Sequence, residues 1–426
     1  MKKTVAFLLA LMMIAVLSGC GDDGAKESSK VESDLYKQEE QVFEEREIPV
    51  KDITVYLVGE PNDWYKAAAQ NYKQKYGGTV AFETTTWDMR NTKLQQYIQS
   101  GDSPDIVEVF YQDSLLLMAQ DLLTPLDGKF NASNKSYDLE QMKSSYSYMD
   151  SIYGIVQYKE NKDPYFLLYN TDLFKAVSVD TPDVLYDKGQ WNWETFRKTA
   201  KDVTQVSDGK TAVYGFGTYQ DEIFAVANGA NPLKLDGNKL VMDLESTPVR
   251  EALDFLYKMV NVEKSTVPGI FDALPLWNAG KLAMTLGNAS LLRTSKDSGL
   301  NVNFVPFPQG PSADKLYSLV IPRGFCVPKG AKSLEGGLAF AEILCGGFPG
   351  ISEKYDAGFT EKEREYNKAC NQNVVATSVN SSTALYSAWT DFTSAIRNNT
   401  PVGTAVGSHK NPLQKAADDL MAVGNK

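Results

Sequence analysis

The chain has 426 residues, with 43 Lys and Arg against 54 Asp and Glu and a net charge of −11. That balance gives no electrostatic footing for nucleic acid, which rewards basic patches. The single histidine, His409, leaves His-dependent triads and HExxH zinc sites without their residues, and its Gly-Ser-rich surroundings read as a solvated turn.

Lys2 and Lys3 precede an apolar run from Val5 to Leu17, too short to span a bilayer and shaped like a secretory signal. Leu17-Ser18-Gly19-Cys20 follows and resembles a bacterial lipobox. Residues 1–19 are therefore expected to be a lipoprotein signal peptide, with Cys20 lipidated and holding the protein to the outer face of the cell membrane, in a Gram-positive organism. Residues 20–50 read as an acidic tether: from 21 to 50 there are ten acids and four bases with few apolar side chains, too little to offset the entropy of ordering. No later segment approaches eighteen consecutive apolar residues, so no transmembrane helix is expected. With Cys20 assigned, Cys326, Cys345 and Cys370 allow at most one disulfide and a free thiol. The absence of CxxC or Cys/His clusters speaks against a zinc site, and no cofactor is expected.

From Lys51 to Lys129 strand and helix alternate. Ile53 to Val58 is rich in β-branched residues and ends at Gly59-Glu60-Pro61. Asn62 or Asp63 caps a helix from Trp64 to Tyr76 that stops at Gly77-Gly78. A strand from Thr79 to Thr84, a helix ending near Ser100-Gly101, and a strand from Pro104 complete a parallel arrangement with right-handed crossovers. Ligands in such sheets sit beyond the carboxyl ends of the strands, here Glu60, Trp87, and Phe110-Tyr111-Gln112-Asp113. Farther on, Tyr153 to Phe174 holds two apolar runs around a polar loop with Pro164, which predicts two strands and a break. Thr171 is expected to cap a short helix after the turn at Asn170. The amphipathic pattern of Val249 to Val260 places Ala252, Leu253, Leu256 and Met259 on a core face.

Several of these stretches resemble bacterial extracellular solute-binding proteins, the ligand-capturing subunits of ABC importers, and within them the sugar-binding branch (family 1). The resemblance rests on Gly101-Asp102-Ser103-Pro104-Asp105, Leu123-Thr124-Pro125-Leu126-Asp127, the Tyr153-Gly154-Ile155 strand with Leu168-Tyr169-Asn170-Thr171-Asp172-Leu173-Phe174, Trp191 to Phe196, Tyr214 to Thr218, Asn228-Gly229-Ala230, Trp277 to Met284, Val302 to Pro308 and Gly324 to Lys332. It covers 51–345 with ordered motifs and 350–426 loosely. It implies an α/β fold of two lobes joined by a hinge, of type II, each lobe a mostly parallel sheet flanked by helices. The lobes are expected at 51–157 with 308–347, and at 158–307 with 348–426. It also implies capture of an extracellular carbohydrate, an oligosaccharide, by hinge closure and delivery to a membrane permease. Relatives carry a Trp shortly after the Met of the Trp277 to Met284 motif, whereas this chain has Ala289-Ser290.

A sugar presents hydroxyls all round and apolar ring faces, which suit aromatic, amide, carboxylate and Arg side chains. The cleft-facing loops supply Glu60, Trp87, Tyr111, Gln112, Tyr158, Tyr219, Asn228, Asn288, Arg323 and Tyr386 as the ligand-binding set, while Trp277 and Trp389 are expected in the core. A monomer is expected. The catalytic motifs are incomplete: Thr204 to Thr211 lacks the first Gly of a phosphate loop, and Ser207-x-x-Lys210 and Ser312-x-x-Lys315 lack their companion motifs. No enzyme is therefore expected, although paired carboxylates of a glycosidase are invisible to sequence. Two further readings stay open at the level of sequence: a polyamine, peptide or chelated metal as ligand in place of the sugar, and a surface adhesion lipoprotein.

Overall fold

The computed structural model describes residues 45–158, 162–236, 239–348, 358–377, 379 and 381–422. The signal peptide and Cys20 lie outside the described residues. No described helix is long and apolar enough to cross a membrane.

Ten strands form two five-stranded sheets: β1 (Ile53–Val58), β2 (Val80–Thr85), β3 (Ile106–Phe110), β4 (Gly154–Ile155), β5 (Phe166–Asn170), β6 (Gln205–Ser207), β7 (Lys210–Gly217), β8 (Leu282–Gly287), β9 (Val302–Val305) and β10 (Arg323–Cys326). The first sheet runs β2-β1-β3-β10-β4 and the second β9-β5-β8-β7-β6. β1 pairs in parallel with β2 and β3, whereas the late strand β10 enters antiparallel between β3 and β4. In the second sheet β7 and β8 are parallel, and β5 lies antiparallel to β8 and β9. The first sheet is thus completed by β10, a strand that follows the return crossover, whereas the five strands of the second sheet come from one continuous stretch, 166–305.

Local signals set most element ends. Asn62 Oδ1 accepts from the Trp64 and Tyr65 N–H groups, and Gly77 ends that helix at φ 77°. Asn192 and Thr195 form a capping box. Asn170, not Thr171, caps the helix Thr171–Val177, because its side chain reaches the Asp172 N–H. His409 is not in a turn: it sits inside the helix Val402–Ala422, its Nδ1 2.9 Å from the Ala405 carbonyl. Cys326, Cys345 and Cys370 are all buried, and none is in a disulfide.

The folded body begins inside the stretch expected as tether. Arg46 pairs with Glu335 at 2.8 Å and its Nε lies 3.6 Å from Glu342, while Ile48 is buried in the core. The return crossover also hangs on the second lobe farther than expected: Asn228 Oδ1 accepts from the Ser312 N–H at 2.9 Å, and the Gly310 N–H donates to the Ala227 carbonyl.

Three chain passages meet between the lobes. Ser318–Leu319 pairs in parallel with Val374–Val375, and the Tyr165 N–H donates to the Leu319 carbonyl. This narrow ribbon runs between the two sheets. Beside it, Tyr146 fills space left by two glycines: a Cβ on Gly154 would come within 2.8 Å of its ring, and one on Gly324 within 2.7 Å. Its hydroxyl donates to the Val109 and Pro322 carbonyls. The Tyr-Gly-Ile pattern is therefore a packing requirement.

The second lobe closes with helices Thr383–Arg397 and Val402–Ala422. Arg397 and Asp221, whose side chains are both about 1% exposed, form a buried bidentate pair, and Arg397 also donates to the Val267 and Thr218 carbonyls.

Two outcomes follow from this packing. Gly324→Ala is expected to destabilise the first lobe by about 1–3 kcal/mol through overpacking against Tyr146; an unchanged denaturant midpoint would refute the packing account. Arg397→Met should cost about 3–5 kcal/mol, since Asp221 is left buried without a partner, and urea denaturation of the variant measures it.

Candidate functional site

The carboxyl ends of β1, β2 and β3 and the start of β10 form one rim of the gap between the lobes. Trp87 stands on the turn after β2, 44% exposed, edge-on to Phe110 with ring centroids 4.8 Å apart. The Arg90 guanidinium lies 4.0 Å over the indole and is held by Asp113 at 2.6 Å. Arg323 opens β10 opposite Phe110, its guanidinium 5.1 Å from that ring. Glu108, which accepts a 2.6 Å hydrogen bond from the Tyr65 hydroxyl, is 3.5 Å from Arg323. Glu60 is exposed just beyond β1, past Gly59 at φ 77°. Aromatic faces and cations thus alternate along this edge.

At the floor the two lobes meet. Tyr111 and Gln112 begin the helix Tyr111–Ala119, and the Tyr111 N–H is fixed by the Pro322 carbonyl at 2.9 Å. Together with Gln220 and Glu222 of the second lobe, Leu319, Val320 and Ile321 at the ribbon, and Thr377, they line a recess of about 240 Å³, counted with the open solvent at its mouth. Tyr219 and Tyr386 stand beside it: Tyr219 is hydrogen-bonded to the Tyr165 hydroxyl, and the Glu222 charge acts on both Tyr219 and Tyr386. Burial raises the pKa of all three tyrosines.

Glu222 is strongly perturbed there. Burial, with Asp221 adding to it, pushes its carboxyl up to about 8. Its neighbour Asp221 has Arg397, and Arg397 directs its other donors to backbone carbonyls. Glu222 therefore sits neutral at physiological pH, able to donate as well as accept.

The remaining expected residues are placed elsewhere. Asn228 is fully buried, its amide donating to the Pro248 carbonyl and Glu251 and its oxygen accepting from Ser312. Asn288 caps the helix Ala289–Asp297 and donates to Asp163 at 2.9 Å. Tyr158 is exposed on the first crossover, its N–H bound to the Ser136 carbonyl. Trp277 and Trp389 lie in the core. Sequence reasoning puts Tyr219-Gln220-Asp221 on a cleft-facing loop without assigning Gln220 to the ligand, and it misses Glu222 and Thr377, since nothing local marks the Asp221-Glu222 pair as interior. Among the described residues no group of three or more His, Cys, Asp or Glu could hold a metal ion.

Comparison with known proteins matches this architecture. A Listeria monocytogenes ABC substrate-binding protein, solved in complex with cycloalternan, superposes with a TM-score of 0.65 at 18% identity, covering 88% of this chain and 99% of that one. The diacetylchitobiose-binding protein of Streptomyces coelicolor is 20% identical over 378 residues, 84% of this chain and 80% of its own. A Brucella abortus protein named as a binding protein is 25% identical over 251 residues, 55% of this chain, so the match spans only 57% of that relative's length. The model of the family described as bacterial extracellular solute-binding protein matches residues 67–347, and this chain belongs to that family.

Proposed function

We propose that the chain captures an extracellular carbohydrate, an oligosaccharide, between its lobes, closes on it about the hinge ribbon, and presents the closed form to the permease of an ABC importer. A lipid on Cys20 would hold it to the outer face of the membrane, and no cofactor enters. One observation carries this reading: Tyr111 and Gln112 of one lobe and Gln220 and Glu222 of the other converge on one recess, beside Tyr219 and Tyr386. A ligand that touches both sets binds the closed state better than the open one, and that differential drives closure. The mixture of aromatic faces with neutral donors and acceptors suits a polyhydroxylated ring. The relatives solved with cycloalternan or named for diacetylchitobiose point to the same ligand class.

The test is a melting-temperature screen of the mature protein against mono- and oligosaccharides, polyamines and metal chelates. A ligand at about a hundred times its dissociation constant adds about 2.7 kcal/mol, a shift easily read. Stabilisation by one saccharide series, accompanied by compaction in small-angle scattering, is the expected result; stabilisation by a polyamine alone would move the ligand class, and silence throughout would refute capture of these solutes. Palmitate labelling that persists in Cys20→Ala would refute the anchor.

A further inference from the structure

The recess floor carries a buried amide with an unmatched oxygen beside a buried carboxyl. Gln220 and Glu222 are each about 3% exposed and both line the recess. The Gln220 side chain bonds the Tyr165 hydroxyl, and its backbone N–H donates to Thr218 Oγ1 at 3.0 Å. Gln220 Oε1 is buried with no hydrogen-bond partner among the described residues. A buried acceptor left so costs about 1–3 kcal/mol, which a matching donor recovers. The Glu222 carboxyl accepts from its own backbone N–H and takes a weaker contact from Trp389 Nε1, both of which favour its ionised form.

We propose that Gln220 and Glu222 form a proton-linked subsite for one ligand hydroxyl, which donates to Gln220 Oε1 and accepts from the carboxylic acid of Glu222. This rests on the carbohydrate reading above and adds to it a specific grip and a pH dependence. A hydroxyl, unlike an ammonium, can serve both partners at once. Ionised Glu222 would present only lone pairs to the hydroxyl oxygen, leaving one contact repulsive.

The surroundings isolate this titration. Asp221, next in the chain, is held by Arg397 from the helix Thr383–Arg397, which also contributes Tyr386 and Trp389. Tyr219 and Tyr165 approach from the loop and the first crossover. The helix Thr247–Tyr257 packs on the same turn and brings Arg250 and Glu251, the latter held by Asn228 and Ser312, with Asp254 exposed. The first lobe adds Tyr111 and Gln112, and the ribbon and Thr377 add uncharged side chains. The carboxyl of Glu222 is raised to about 8, while Tyr165, Tyr219 and Tyr386 are all held above the usual tyrosine value. Between about pH 8 and 9.5, Glu222 is therefore the group here that changes charge.

Calorimetric titration of the full chain with cycloalternan, diacetylchitobiose and maltotriose from about pH 6.5 to about 9.5 tests this. The dissociation constant of the saccharide that binds is expected to be flat at the acid end and to rise about tenfold per pH unit above the titration, because the acid form alone binds well. In Glu222→Gln, which keeps a donor and loses the titration, that slope should vanish, with circular dichroism checking that the variant is folded. A flat wild-type profile, or a slope that survives in Glu222→Gln, overturns the subsite and leaves carbohydrate capture standing. Silence from all three saccharides, with silence in the wider screen, overturns both.

Discussion

The buried pair of Arg397 with Asp221 is the constraint on which the floor of the recess depends. Two charges removed from water are tolerable because geometry is good on both sides: Arg397 engages both Asp221 oxygens and sends its remaining contacts to Val267 and Thr218. Those two carbonyls belong to the segments that shape the loop after β7. The pair thereby fixes the loop carrying Tyr219, Gln220 and Glu222 against a helix 176 residues downstream. It also consumes the guanidinium, so that Glu222 one residue later has no counter-charge and stays protonated.

The join between the lobes has the opposite character. Two residue pairs, Ser318 with Val374 and Leu319 with Val375, plus the Tyr165 to Leu319 hydrogen bond, form a narrow ribbon between lobes that each hold a five-stranded sheet. Tyr146 and the two glycines around it sit at the first-lobe end of that ribbon, where the Tyr146 hydroxyl holds Pro322 and Val109. Pro322 in turn fixes Tyr111. The position of one recess-lining side chain is thus tied to the ribbon by two hydrogen bonds to one carbonyl.

Most of the fold was legible because it follows from short-range rules. Asn62, Gly77, Gly101 and Asn192 mark helix ends by chemistry that acts within four residues, and the strand order puts Tyr111 and Gln112 just past the carboxyl end of β3. What failed to show was decided at long range. Asn228 looks like a polar residue on a cleft loop, yet its partners Ser312 and Glu251 make it a clamp. Asp221-Glu222 carries no local sign of burial, because the partner of Asp221, Arg397, is 176 residues away. The composition of a tether runs on past Arg46 because the partners of that residue, Glu335 and Glu342, lie almost three hundred residues away. Local pattern carries no information about such pairs.

The same long-range pairing bears on ligand class. A count of acids in the loop after β7 would favour a cation, since two carboxyl groups stand at the cleft floor. Their environments cancel that inference. Asp221 is neutralised by Arg397 in a pair almost wholly removed from solvent. Glu222 is neutral below about 8 because burial outweighs the hydrogen bonds that favour its ionised form. The floor then presents amide, hydroxyl and carboxylic acid groups with no net negative charge. An ammonium would lose its hydration there without gaining a counter-charge, an unfavourable exchange in a site of low polarity. A sugar hydroxyl brings no charge to desolvate and can both donate and accept, so the electrostatics of the floor favour the neutral ligand even in a chain with an acidic balance.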